Sequence, residues 1–121
     1  MGPAMTEEQL AAQVDRFYAK VREDAVLGPI FNGAIDDWPH HLVRLQAFWS
    51  SVMLTSGRYR GSPMAAHLKH REQIAPEMFE RWLALWRETA DQVFDKEDAD
   101  AIVGKAERIA ESLGLALFFR V

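Results

Sequence analysis

Pro76-Glu77-Met78-Phe79-Glu80-Arg81-Trp82-Leu83-Ala84-Leu85-Trp86 is the stretch whose spacing decides the fold class. Its apolar residues Met78, Phe79, Trp82, Leu83, Leu85 and Trp86, continued by Val93 and Phe94, recur at intervals of three and four. That period gathers them on one face of a helix, whereas a strand would alternate at two. Pro76 suits the helix start, because an N–H in the first turn has no partner inside the helix anyway.

The same period extends in both directions. Towards the N-terminus, Asp36 or Asp37 caps a helix with Pro39 in its first turn and an inward stripe of His41 or Leu42, Leu45, Phe48, Trp49, Val52 and Met53. Before it, Thr6-Glu7-Glu8-Gln9 has the spacing of a capping box and opens a helix with Leu10, Val14, Phe17, Tyr18 and Val21 on one face. Between these two helices, Leu27-Gly28-Pro29-Ile30-Phe31-Asn32-Gly33 reads as a break, with Gly-Pro and Asn-Gly as turn signals. Residues 56–61 form a polar loop, after which Ser62-Pro63 starts a short helix carrying His67 and Leu68. Towards the C-terminus, Asp95 or Asp98 caps a last helix with Ala99, Ile102, Val103, Ala106, Ile109, Ala110 and Leu113 inward, and residues 115–119 are an apolar tail expected to dock on the body. No segment alternates convincingly. The expectation is an all-α fold of four main helices and a short fifth, arranged as two packed pairs.

The 121 residues suffice for one hydrophobic core, and 49% hydrophobic with 26% charged residues is ordinary globular usage. Met1-Gly2-Pro3-Ala4-Met5 reads as a disordered remnant ahead of a natural start, leaving 6–121 as a single domain. A net charge of −4 argues against nucleic acid as the partner, since phosphate binding calls for a basic face. No apolar run reaches the ~18 residues of a membrane span. The absence of cysteine excludes disulfides, thiolate metal sites and cysteine nucleophiles, and is consistent with the cytoplasm. Seven Phe, four Trp and two Tyr are many for so small a domain. They fit either a core with bulky layers or a cavity walled for a large flat ligand.

Any transition metal held directly would rest on His40, His41, His67 and His70 with carboxylates. His67 and His70 can share a helical face, but no carboxylate stands at the spacing of the zinc-protease motif. Taken alone, each histidine has an ordinary surface or core reading, Tyr18 and Trp82 read as packing, and Arg44 as a solvated charge. Periodicity goes no further.

The order of motifs does. Phe17-Tyr18-Ala19-Lys20-Val21-Arg22, then Leu27-Gly28-Pro29-Ile30-Phe31-Asn32, then Trp38-Pro39-His40-His41 running to Phe48-Trp49, then Tyr59-Arg60-Gly61-Ser62-Pro63 before Ala66-His67-Leu68, and last Phe79 to Trp86, together resemble the truncated haemoglobins of group III. The match runs from about Thr6 to Val93, and the chain has no Gly-Gly pair of the kind found in the other truncated groups.

The resemblance implies a truncated globin, a two-over-two helical sandwich around haem b. It implies His67 as the proximal iron ligand, with His70 a competitor because His70-Arg71-Glu72 is more polar than the family pattern after that ligand. It implies Tyr18, His41 and Trp82 as the distal set. A dioxygen ligand draws negative charge onto its oxygens, so O–H and N–H donors facing it slow its release. Phe31, Leu45, Phe48, Trp49, Met64 and Leu68 are the expected haem walls, and Arg44 and Tyr59 the expected partners of the propionates.

Three readings follow. The first is reversible binding of dioxygen, NO or CO by a monomer or weak dimer, with tight distal hydrogen bonding; oxygen transport belongs to this class, although slow release suits delivery poorly. The second is an enzyme performing NO dioxygenation or peroxidase-like chemistry, which would need an external reductase. The third is a cofactor-free helical interaction module.

Overall fold

The computed structural model describes residues 5–59, 61 and 74–118, with backbone alone for 115–118. Met64, His67, Leu68 and His70, and the short helix expected after Ser62-Pro63, lie outside the described residues.

Helix α1 (Glu7–Glu23) starts as its sequence requires: Thr6 Oγ1 accepts the Gln9 N–H at 3.1 Å, and Gln9 Oε1 accepts the Thr6 N–H at 3.0 Å. It ends at Asp24, where the chain turns. The supposed break that follows is a seven-residue helix, α2 (Gly28–Ala34). Three local facts permit it. The Asp24 carboxylate takes the free N–H groups of Val26 and Leu27. Pro29 occupies the first turn, where no donor is missed. Gly28 lets α2 press against the end of α1, since a Cβ there would lie 2.8 Å from the Arg22 carbonyl oxygen.

Helix α3 (Trp38–Leu54) is capped by Asp37, whose Oδ1 accepts the His40 N–H at 3.1 Å. It stops at Thr55, which adopts a left-handed φ of 53°. Helix α4 (Pro76–Val93) begins at the expected proline. Helix α5 (Lys96–Phe118) is capped by Asp95, whose Oδ1 accepts the Asp98 N–H at 2.9 Å. The helix thus runs through most of the expected tail. No strand occurs among the described residues, and none of their helices is long and apolar enough to cross a membrane.

Helix α1 packs on α2, α3 and α4, and α4 packs on α5, which gives the two-over-two arrangement. The core is built on aromatic layers. Trp49 stacks on Trp86 at 4.5 Å and Trp86 on Trp82 at 5.5 Å, while Phe17 meets Trp86 and Trp82 edge-on at 4.8 and 5.3 Å. Such pairs add about 0.5–1.5 kcal/mol each beyond their burial. Leu10, Val14, Val21, Ile102 and Ala106 close the layer, and Met5, set aside from the fold on sequence, is partly buried against it. Polar ties fix the α1–α4 crossing: Gln13 Nε2 donates to the Trp86 carbonyl at 3.1 Å, and Lys20 Nζ donates to Glu88, Thr89 and Gln92. The inward stripe of α3 is less buried than its spacing suggests. Trp38 and Trp49 are covered, but Leu42, Leu45 and Phe48 are half-buried. Leu45 and Phe48 face a cavity.

Candidate functional site

That cavity, of about 530 Å³, lies between α3 and the facing parts of α1, α2, α4 and α5. Its size falls within the roughly 300–1,000 Å³ of cofactor and ligand sites. Its wall includes every sequence-predicted site residue that the structure describes: Tyr18 from α1, Phe31 from α2, His41, Arg44, Leu45, Phe48 and Trp49 from α3, Tyr59 from the loop after α3, and Trp82 from α4. Trp49 is mostly a core residue, only 2% exposed. The wall also holds residues that the sequence reading did not assign to it. Leu27, Ile30 and Ile35 come from the α2 region, Met78 and Phe79 from α4, and Ile109 and Leu113 from α5. Spacing alone assigns the last four to the core, because one apolar helix face serves the core along part of its length and the cavity along the rest. Asp36, Asp37 and His40 add exposed polar groups at the margin, and Asp37 is spent on capping α3.

One end of the cavity is polar. The Tyr18 and His41 rings meet edge to face, 6.3 Å apart at 89°. Trp38 stands 5.9 Å from Tyr18 and 5.8 Å from His41, and Phe31 stands 5.8 Å from Tyr18. Trp38 is itself held by the Arg22 guanidinium, 4.7 Å above its ring. Burial pushes the Tyr18 hydroxyl well above the ordinary phenol range, and a polar contact with Trp82 draws it only part of the way back. Tyr18 therefore remains an O–H donor at any working pH. Among the described residues no acceptor takes that proton. His41 is shifted the other way: loss of solvent lowers its pKa first, then the positive charge of Arg44 and the neighbouring His40. It is a neutral imidazole at pH 7, with one donor and one acceptor nitrogen.

Tyr59 and Arg44 meet at the cavity margin. The Tyr59 backbone N–H donates to Ser51 Oγ at 2.9 Å, and its ring sits edge-on to Phe48 at 5.2 Å. A Cβ built on Gly61 would lie 2.7 Å from the Tyr59 hydroxyl and 3.3 Å from Arg44 Nη2. Both polar ends thus converge where the chain carries no side chain. The described residues hold no cluster of three or more metal-ligating side chains.

A two-over-two helical sandwich folded over an aromatic cavity, polar at one end and basic at one margin, is the architecture of a small globin. No family model matches the chain. The group 3 truncated hemoglobin ctb of Campylobacter jejuni is 36% identical over 110 residues, covering 88% of this chain and 86% of that protein. The crystal structure of group III truncated hemoglobin from Campylobacter jejuni superposes with a TM-score of 0.87 at 34% identity, covering 97% of this chain and 94% of the other. The chain belongs to the group III truncated haemoglobins, and membership implies a haem cofactor.

Proposed function

We propose that the chain binds haem b in this cavity and holds dioxygen, NO or CO reversibly at the ferrous iron, as a cytoplasmic protein. The observation that carries the reading is the buried Tyr18 hydroxyl, protonated and without an acceptor among the described residues, on the wall of a cavity large enough for a cofactor. A ligand in the cavity that accepts from this hydroxyl meets a donor already held in place, so little is lost in ordering it.

The residues present fit the group. Phe31, Leu45, Phe48 and Met78 offer apolar and aromatic wall to a flat macrocycle. Arg44 and Tyr59 converge on the space beside Gly61, where they can take a propionate. His67 is the proposed proximal ligand, with His70 its competitor, and Met64 and Leu68 complete the proposed wall. Haem supplies an iron whose sixth position takes a diatomic gas.

On the gas side, Tyr18 is the proposed principal donor. The Trp82 indole, which can only donate, stands beside the Tyr18 hydroxyl on the same cavity wall and is the proposed second donor. Neutral His41, edge-on to Tyr18 and with Arg44 and His40 near it on α3, is the proposed gate or further donor. A hydrogen bond to a charged acceptor contributes roughly 1.5–3 kcal/mol, which slows release about 10- to 150-fold.

The grouping of Tyr18, His41 and Trp82 also supports a second reading, NO dioxygenation or peroxidase-like chemistry with an external reductase. Steady-state NO consumption with a reductase separates the two, since simple reversible binding predicts none above free haem. Titration with hemin tests the shared premise. It predicts saturation at one hemin per chain with a sharp Soret band, and loss of that band's ligated form in His67→Ala. A colourless chain that remains folded and refuses hemin would overturn it.

A further inference from the structure

Asp24 closes α1, and its nearly buried carboxylate, 4% exposed, serves two neighbours at once. Oδ2 accepts the N–H of Leu27 at 2.9 Å and of Val26 at 3.0 Å, shaping the turn that delivers Leu27 and then Phe31 to the cavity wall. Oδ1 accepts from Arg81 Nε at 2.8 Å and from Arg81 Nη2 at 2.6 Å. Arg81 immediately precedes Trp82 on α4. We propose that the Asp24–Arg81 pair is a positioning clamp that sets the rotation of α4 against the α1–α2 corner, and with it the place of the Trp82 indole beside Tyr18. This rests on the reading of Tyr18 and Trp82 as the gas-facing pair.

The geometry makes the clamp directional. Consecutive helical residues point about 100° apart, so pinning Arg81 to the corner leaves Trp82 turned inward. Helix side chains reach about 5–6 Å from the axis, so a rotation of ~10° carries an indole N–H by about 1 Å. That displacement is enough to spoil a hydrogen bond. An exposed ion pair alone would be a poor clamp, and Arg81 is half exposed. Here, however, two guanidinium N–H groups meet a carboxylate oxygen whose partner oxygen is already fixed by two backbone donors, so the anchor cannot swing.

The test follows the Trp82 indole N–H by proton–nitrogen NMR, in the ferrous carbon monoxide form and in the haem-free chain, with the signal assigned from Trp82→Phe. Arg81→Gln leaves the Asp24 turn intact. It should move the Trp82 signal and speed its exchange with water, with smaller shifts at Trp86 and Trp49, which are stacked next in line. Dioxygen release should quicken roughly two- to tenfold, a fraction of a full hydrogen bond. Arg81→Lys should restore both readouts in part. Arg87→Gln is the control, because Arg87 makes a similar ion pair from the same helix, to Asp100 of α5 at 2.6 Å. It should leave the Trp82 signal unmoved. A Trp82 signal unchanged in Arg81→Gln, or shifted equally by Arg87→Gln, would overturn the clamp. If the chain refuses haem while Arg81→Gln still moves the signal selectively, the clamp stands and the gas-binding reading fails.

Discussion

The rings of Tyr18 and His41 meet edge to face at 6.3 Å, one from α1 and the other from α3, at the polar end of the cavity. The two side chains carry opposite instructions about protons. Burial holds the Tyr18 hydroxyl in its protonated form, and burial with positive neighbours holds His41 in its neutral form.

The lowered pKa of His41 gives a pH dependence with a definite sign. The ring is neutral at pH 7 and protonates only below the ordinary histidine value of about 6.5. The unfolded chain binds that proton first, so the contribution of His41 to stability is intact above about pH 6.5 and is lost as pH falls through the folded pKa. Protonated His41 is repelled by Arg44 and His40 and is expected to turn outward. Gas association measured by flash photolysis should therefore show an acid step with a midpoint below 6.5. The step should vanish in His41→Leu and move to higher pH in Arg44→Gln. A midpoint unaffected by Arg44→Gln would remove Arg44 from this account.

Arg44 is also proposed to hold a propionate, from an exposed position. Arg44→Ala should raise the rate of hemin transfer to an acceptor globin by roughly two- to fivefold, the scale of an exposed ion pair, and the difference should shrink in high salt. An unchanged transfer rate at low salt would place the propionates elsewhere.

The corner between α1 and α2 predicts opposite outcomes for two glycines. Gly28→Ala would force a Cβ to 2.8 Å from one carbonyl oxygen and 3.2 Å from another, both backbone atoms with little room to move. It should cost about 1–3 kcal/mol in urea unfolding. Gly33, in the same helix, has nothing within 4 Å of its Cβ position, so Gly33→Ala should stabilise by up to about 1 kcal/mol. Equal effects from the two would contradict the close packing of this corner.

The long helices are legible in the sequence because cap and period agree: Thr6 with Gln9, Asp37, Pro76 and Asp95 all stand where the apolar stripes begin. Helix α2 is not legible. Gly28-Pro29 and Asn32-Gly33 are turn signals taken locally, and the helix forms there because the Asp24 carboxylate fixes the turn that leads into it and α1 supplies a surface to pack on. The cavity is half legible. Phe17 and Tyr18 are adjacent and both buried, yet Tyr18 lines the cavity and Phe17 fills the core. Periodicity cannot separate such neighbours, and only the family motif order singles out Tyr18, His41 and Trp82. The pairing of Arg81 is not legible at all, since its partner Asp24 lies far away in the chain and its spacing is that of any solvated charge.

The most direct test of the central claim is the dioxygen dissociation rate of the reduced, haem-loaded protein, measured by stopped-flow replacement with CO for the wild type and Tyr18→Phe. The account predicts a stable oxygenated spectrum, slow release in the wild type, and release about 10- to 150-fold faster in Tyr18→Phe at unchanged haem content. An equal rate in the two proteins, or no oxygenated form in either, would contradict it.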